Sequence, residues 1–148
     1  MMKQFLYTLL TMSLNVIVSA SDIYSGSWKV TEFVQNELPL EIPEATEIIL
    51  TLQSQDDINY HVSLKIANRF MGGLTILGKT ADNTDIIKMG AMAGTRMMAP
   101  PTLQPLERFV SLEFPLLKEM YIESDTLIVQ GPTGRVICHL NTNMSGLS

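Results

Sequence analysis

The sequence has few of the residues that crosslink a small protein or carry out chemistry in one. It contains one cysteine, one tryptophan and two histidines in 148 residues, and charged side chains make up 17% of it. One cysteine excludes an internal disulfide, and two histidines without clustered carboxylates do not specify a zinc site. The sequence also lacks a nucleophile with a neighbouring base, a glycine-rich phosphate loop and a G-x-S-x-G turn. We therefore predict a protein that is not an enzyme and needs no metal or cofactor.

Basic residues are scarce as well. The chain has 10 lysines and arginines against 15 aspartates and glutamates, a net charge of -5, and the basic residues form no cluster. Nucleic-acid-binding proteins carry a basic patch or stripe. The sequence therefore predicts no nucleic-acid partner.

The N terminus has the pattern of an export signal. Lys3 precedes an apolar run over residues 5–18, and small residues follow it. This pattern is typical of a secretory signal peptide, and the run is too short to span a bilayer. We predict a signal peptide over residues 1–20, a single domain over 21–142 and a loose tail over 143–148. The mature chain would have no membrane span and would be secreted or periplasmic, or enter the secretory pathway if the source is eukaryotic.

After the leader, apolar and polar residues alternate over most of the chain. The clearest run is 59–67, where every second residue is apolar, and residues 47–53 repeat the pattern. A period of two is typical of a half-buried strand, so these runs predict an antiparallel hairpin. The full set of predicted strands is 27–34, 47–53, 59–67, 72–78, 84–89, 118–123, 126–130 and 135–140.

One segment has the period of a helix instead. Its apolar residues are spaced by three or four and are Leu103, Leu106, Val110, Phe114 and Leu117. They predict an amphipathic helix over about 102–114, with Thr102 as N-cap, Pro105 in the first turn and Pro115 at the end. The predicted fold class is mainly β (α+β): about eight short antiparallel strands in a curved sheet or partly open barrel, with this helix packed against it.

The one cysteine, Cys138, lies in the last predicted strand. Alternation places it on the same face as Val136 and Leu140. We therefore predict a buried, unreactive cysteine rather than one that bridges two chains.

A methionine- and glycine-containing stretch over residues 89–101 precedes the predicted helix. It includes Gly94-Thr95-Arg96-Met97-Met98, and Glu107 follows on the helix. This combination resembles the signature of the META domain, a small secreted or envelope domain known from heat-shock-inducible bacterial proteins and virulence-associated parasite proteins. The resemblance implies a non-catalytic role in protein interaction, stress or virulence, with another protein as the partner.

The motif residues are predicted to be structural. Arg96 at a strand-to-helix corner can donate several hydrogen bonds at once, and an ion pair between Arg96 and Glu107 is one way to satisfy it. The methionines of the stretch could ligate Cu(I), but methionine also fills irregular gaps in a core, and we favour packing.

A second resemblance points to small lipocalin-like barrels. Gly26-Ser27-Trp28 opens the first predicted strand, and Arg135 on the last strand could lie across Trp28 as a barrel-closing pair. The chain would then carry an apolar small molecule, which requires an empty cavity of roughly 300 Å³ or more. An interaction domain requires an exposed groove or patch instead. Inhibition of a secreted protease is a third alternative.

Overall fold

The computed structural model describes residues 22–141, which contain ten strands and one α-helix. In chain order these are β1 (Gly26–Gln35), β2 (Leu38–Pro39), β3 (Ile49–Ser54), β4 (Asn59–Lys65), β5 (Arg69–Lys79), β6 (Asp85–Met89), β7 (Ala93–Gly94), α1 (Gln104–Leu112), β8 (Glu119–Glu123), β9 (Thr126–Gln130) and β10 (Gly134–Leu140). The predicted signal peptide over 1–20 and the tail over 143–148 lie outside the described residues.

Eight of the strands close into an antiparallel barrel. Their order is β1-β3-β4-β5-β6-β8-β9-β10, and β10 pairs with β1 to complete the ring. Closure leaves no long unpaired edge. The predicted fold class is confirmed. The prediction allowed a curved sheet or a partly open barrel, and in the structure the barrel is closed by the pairing of β1 with β10.

The two remaining strands, β2 and β7, were not predicted. β2 pairs with the end of β1 after a tight turn in which Asn36 and Glu37 have φ of 51° and 71°. A hairpin turn with two consecutive positive φ values favours asparagine and glycine. Glu37 is neither, so the sequence did not indicate this turn. β7 pairs with the start of β5 and continues the line of β6 beyond a break at residues 90–92. Strands of two residues are too short to show alternation.

The helix α1 follows a turn and covers the interior. Its N-cap is Leu103 rather than the predicted Thr102, and no side chain caps it. The amides of Leu103 and Gln104 donate to the carbonyl of Pro100, which forms a turn before the helix starts. Pro105 lies in the first turn as predicted, and a 3₁₀ turn over Phe114–Leu116 contains Pro115 and ends the helix.

The predicted apolar stripe is buried. Leu106, Val110, Phe114 and Leu117 are each at most 1% exposed, and Leu103 packs partly against the core. Cys138 is also buried, as predicted, and burial raises the pKa of its thiol. A space of about 10 Å³ lies between Phe114, Leu117 and the inward side chains of the strands, and it holds at most one water.

Two different structures close the ends of the barrel. At the first, the tyrosine end, Tyr24 from the segment before β1 is buried and donates to Asp85, and the exposed Asp22 accepts from Tyr60. At the second, the helix end, α1 lies across the turn between β4 and β5 and the loop between β9 and β10. The predicted motif lies at the helix end.

Candidate functional site

Glu107, the glutamate of the predicted motif, holds the turn between β4 and β5 against α1. Its Oε2 accepts hydrogen bonds from the backbone amides of Ala67 at 2.9 Å and Asn68 at 2.6 Å. Its Oε1 accepts a third from Asn68 Nδ2 at 2.6 Å. Three donors to one carboxylate disperse its charge, and hydrogen bonds to a charged acceptor are the stronger kind.

Asn68 then fixes the motif loop. Its side chain is 4% exposed. Its Oδ1 accepts from the Met97 amide at 2.7 Å and from the Thr95 hydroxyl at 3.0 Å, and its Nδ2 donates to the Met97 carbonyl at 2.9 Å. All the hydrogen-bonding capacity of this buried amide is therefore used. One asparagine joins the turn between β4 and β5, the residues after β7 and α1.

The predicted ion pair between Arg96 and Glu107 is not formed. The ion pairs among residues 22–141 are Lys29–Glu47 and Lys79–Asp85. Both oxygens of Glu107 are already occupied by the turn, and Arg96 is exposed with no hydrogen-bond partner in this part of the chain. Glu107 is therefore engaged by Ala67 and Asn68 rather than by Arg96.

A groove opens between β7 and α1, and we call it the motif groove. Its volume is about 620 Å³, within the range of ligand-binding pockets, roughly 300–1,000 Å³. The residues that line it from the strand side and then from the helix side are Asn68, Phe70, Met92, Ala93, Gly94, Thr95, Arg96, Glu107, Arg108, Ser111 and Leu112. The structure thus brings Gly94, Thr95, Arg96 and Glu107 to one surface.

The lining of the motif groove combines charged and apolar side chains. Arg96 and Arg108 are both exposed, one on each wall, and neither has an ion-pair or hydrogen-bond partner within residues 22–141. Phe70 forms part of the floor, and Leu112 is 58% exposed at the edge. The charged groups of the lining are therefore two guanidinium groups and one carboxylate, and the carboxylate of Glu107 is already held by three N–H donors.

Met97 and Met98 project beside the motif groove rather than into the core. Met97 is 60% exposed and Met98 is 93% exposed, although the backbone of Met97 is held by Asn68. The prediction that the motif methionines fill the core is therefore wrong for these two, while Met89 is buried in the core. Exposed flexible methionines are typical of surfaces that contact partners.

The predicted barrel-closing pair, Trp28 and Arg135, is not brought together. Trp28 is buried, lies opposite Leu140 on β10 and donates from Nε1 to the Tyr24 carbonyl at 2.9 Å. Arg135 is exposed and lies opposite Val34, near the other end of the barrel. Successive residues of a strand point to opposite faces of a sheet. Trp28 lies on the inner face of the barrel wall, whereas Arg135 lies on the outer face.

At the tyrosine end the polar groups are paired with one another. The Tyr24 hydroxyl donates to Asp85, which also forms an ion pair with Lys79 at 3.1 Å, and the Tyr60 hydroxyl donates to Asp22 at 2.7 Å. Burial raises the pKa of Tyr24 above its usual range, and the hydrogen bond to Asp85 adds to it. Burial likewise raises the pKa of Tyr60, helped by Asp22. These hydrogen bonds and the ion pair link the side chains that close this end.

Two features that would support other functions are missing from the described part of the chain. Within residues 22–141 no three histidine, cysteine, aspartate or glutamate side chains are grouped to hold a metal ion. No helix in the same range is long and apolar enough to cross a membrane.

The closed antiparallel barrel, with one helix over an end and a motif-lined groove beside it, defines a small β-barrel domain. The family model of the META domain matches residues 21–143. The chain therefore belongs to the META domain family, which confirms the resemblance drawn from the motif. No curated protein and no solved structure matches the chain significantly.

Two residues of the site escaped sequence reasoning, Asn68 and Arg108. Asn68 follows a strand in a turn, where asparagine is common for local reasons, so nothing marked its contact with a helix about forty residues later. Arg108 directly follows Glu107 on the polar side of the helix, and such a charge is ordinarily a solvated one. In the folded protein Arg108 also lines the motif groove, across from β7.

Proposed function

We propose that this META-domain protein is a non-catalytic interaction domain that binds another protein through the motif groove. The observation that carries the proposal is that a rigid hydrogen-bonded frame, built by Asn68 and Glu107, supports exposed side chains with no partner of their own. Holding a loop in one conformation costs conformational entropy. A loop that is held in this way while its side chains stay exposed is typical of a preorganised binding surface.

The side chains of the groove favour binding over catalysis. The Thr95 hydroxyl donates to Asn68, and the Glu107 carboxylate accepts from three donors. Neither group is therefore available as a nucleophile or general base. Ser111 lines the groove, but no histidine or free carboxylate lines it with the serine.

The alternative proposal, a lipocalin-like carrier, agrees with the closed barrel but has less support inside it. A carrier holds its ligand within the barrel, whereas the enclosed space here is about 10 Å³. Binding of an apolar molecule would need side chains such as Phe114 and Met120 to move out of the interior. Native mass spectrometry of the protein from its own host, with a lipid-sized mass bound, would favour this alternative.

Export is part of the proposal. The apolar run after Lys3 supports a secreted or periplasmic location, and the META family supports a stress- or virulence-associated role. Detection of the N terminus near residue 21 in the exported protein would test the location.

The groove is tested by site-specific photo-cross-linking in the native host. A photoreactive residue replaces Leu112 at the edge of the groove, and the control replaces Leu77 on β5, which is 63% exposed but does not line the groove. We expect a discrete adduct with another protein from position 112 and none from 77. Equal adducts from both positions, or none from 112, would contradict the proposal.

A further inference from the structure

The motif groove has an open strand edge along one wall. β7 pairs with β5 on one side, with Gly94 opposite Phe70 and Ala93 opposite Met71. The Thr95 amide donates to the Arg69 carbonyl at 3.0 Å. Because antiparallel residues alternate between bonded and non-bonded pairs, the N–H and C=O of Gly94 point away from β5 and toward the groove.

The next barrel strand does not cover this edge. β8 pairs with β6 through Asp85 and Ile86, and the Ile87 amide donates to the Lys118 carbonyl. Beyond that point the chain of β6 and β7 runs on, whereas β8 has its first residue at Glu119, and α1 forms the opposite wall. An unpaired edge beside an open groove is a template for an added strand.

The charge around this edge indicates what would bind. Arg96 lies just after β7 and Arg108 on α1, both are exposed, and neither has a partner in the part of the chain that the structure describes, while the whole chain carries a net charge of -5. The one carboxylate in the groove lining, Glu107, is engaged by three N–H donors. The groove is therefore a local positive site on an acidic protein, complementary to carboxylates.

Resting on the proposed function, we infer that the partner enters the motif groove as an extended peptide segment rich in aspartate or glutamate, added as a strand beside Gly94. Its backbone exchanges hydrogen bonds with the Gly94 edge. Its carboxylates meet the guanidinium groups of Arg96 and Arg108, which bind such groups through paired donors. Apolar side chains between the acidic ones face Phe70 and Leu112.

The first experiment selects ligands for the purified protein from a displayed library of random octapeptides. We expect enrichment of sequences that combine aspartate or glutamate with apolar residues, and no enrichment of lysine or arginine. Enrichment of basic peptides, or no enrichment at all, overturns the inference. If position 112 still cross-links to a protein in the host, the groove keeps its proposed function and loses this ligand class.

The second experiment measures the affinity of an enriched, fluorescein-labelled peptide by anisotropy. Replacement of both arginines, Arg96→Glu with Arg108→Glu, is expected to weaken binding about tenfold or more. The matched control is Arg135→Glu with Lys88→Glu, two exposed cations outside the groove with the same total change in charge. Equal affinities of the two variants would show that net charge, not the groove, attracts the peptide.

The third experiment tests the strand geometry with the same peptide. Methylation of alternate backbone amides removes donors without changing side-chain charge. We expect one of the two methylated registers to bind about tenfold more weakly. If neither register loses affinity, the peptide does not add as a strand.

Retention on phosphatidylglycerol vesicles with the same dependence on Arg96 and Arg108 would assign the groove to lipid headgroups and overturn the peptide assignment.

Discussion

The two ends of the barrel are closed by different chemistry. At the tyrosine end, Tyr24 and Tyr60 are buried and each donates to an aspartate, and Lys79 neutralises Asp85. At the helix end, apolar residues of α1 fill the opening, while Arg96 and Arg108 beside it have no partner among the described residues.

Under the proposed function, this difference separates stability from recognition within one small domain. A closed set of hydrogen bonds, as at the tyrosine end, leaves no group free to attract a ligand. At the helix end a comparable set, centred on Asn68 and Glu107, is used to hold a loop whose exposed side chains face solvent. Four changes would break or sharpen this contrast, and they are ordered by the size of the expected effect.

The largest effect is expected from Phe109→Ala at the helix end. Phe109 is 1% exposed and packs on Phe33 and Phe114, with ring centroids 5.0 and 6.1 Å apart. Its truncation should lower the free energy of unfolding by about 4 kcal/mol, measured by urea denaturation. Leu112→Ala on the exposed side of the same helix is the control and should change it far less. Equal losses would mean that α1 does not close the barrel through this face.

Glu107→Ala should have the next largest effect. It leaves the amides of Ala67 and Asn68 and the Asn68 side chain without their acceptor, which should cost about 3 kcal/mol. Glu44→Ala, at an exposed glutamate, is the control and should change stability by less than about 0.5 kcal/mol. Hydrogen exchange supplies a local readout, because the two turn amides should exchange faster in the Glu107 variant. Unchanged exchange there would contradict the assigned role.

Alkaline pH should weaken the tyrosine end specifically. Because the native pKa of Tyr24 is raised, its contribution to stability is complete below about pH 10, the ordinary tyrosine value, and falls as the pH rises above it. Thermal unfolding followed from pH 8 to 11 should show a smaller decline for Tyr24→Phe than for the unaltered protein. Lysine ionisation affects both proteins alike. Tyr121→Phe, at a partly exposed tyrosine, is the control, and parallel curves for all three proteins would refute the assignment.

The smallest effect is expected from Arg96→Met. An ion pair with Glu107 would make this change destabilising, but Arg96 has no partner within residues 22–141. We therefore expect a change in the free energy of unfolding within about 0.5 kcal/mol, together with weaker binding of the groove ligand. A large drop in melting temperature would restore the structural role that the sequence suggested.

The strands of the barrel could be predicted because their signal is local. Alternation in residues 59–67 and 47–53 marked β4 and β3, and the 3–4 spacing from Leu103 to Leu117 marked α1. The predictions failed where geometry overrides composition, as at Glu37 in a positive-φ turn and at Leu103 as an uncapped helix start. Prolines formed the turn before α1, so no capping side chain was required.

The candidate site could be predicted in part. The motif letters placed Gly94, Thr95, Arg96 and Glu107 near one another, and the structure lines one groove with them. The partner of Glu107 could not be predicted, because Asn68 lies 39 residues before it and the contact depends on how α1 crosses the barrel end.

By itself the sequence determined the eight barrel strands, the helix and the burial of Cys138, since the period of apolar residues fixes which face of each element leaves water. The tertiary structure alone decided three things: that the barrel closes through β1 and β10, that its core side chains pack to leave a space of about 10 Å³, and that Glu107 bonds Asn68 rather than Arg96. The physical reason is that hydrogen-bond partners are assigned by distance in the folded chain. Glu107, the glutamate of the motif, uses both of its oxygens to accept hydrogen bonds from the turn between β4 and β5.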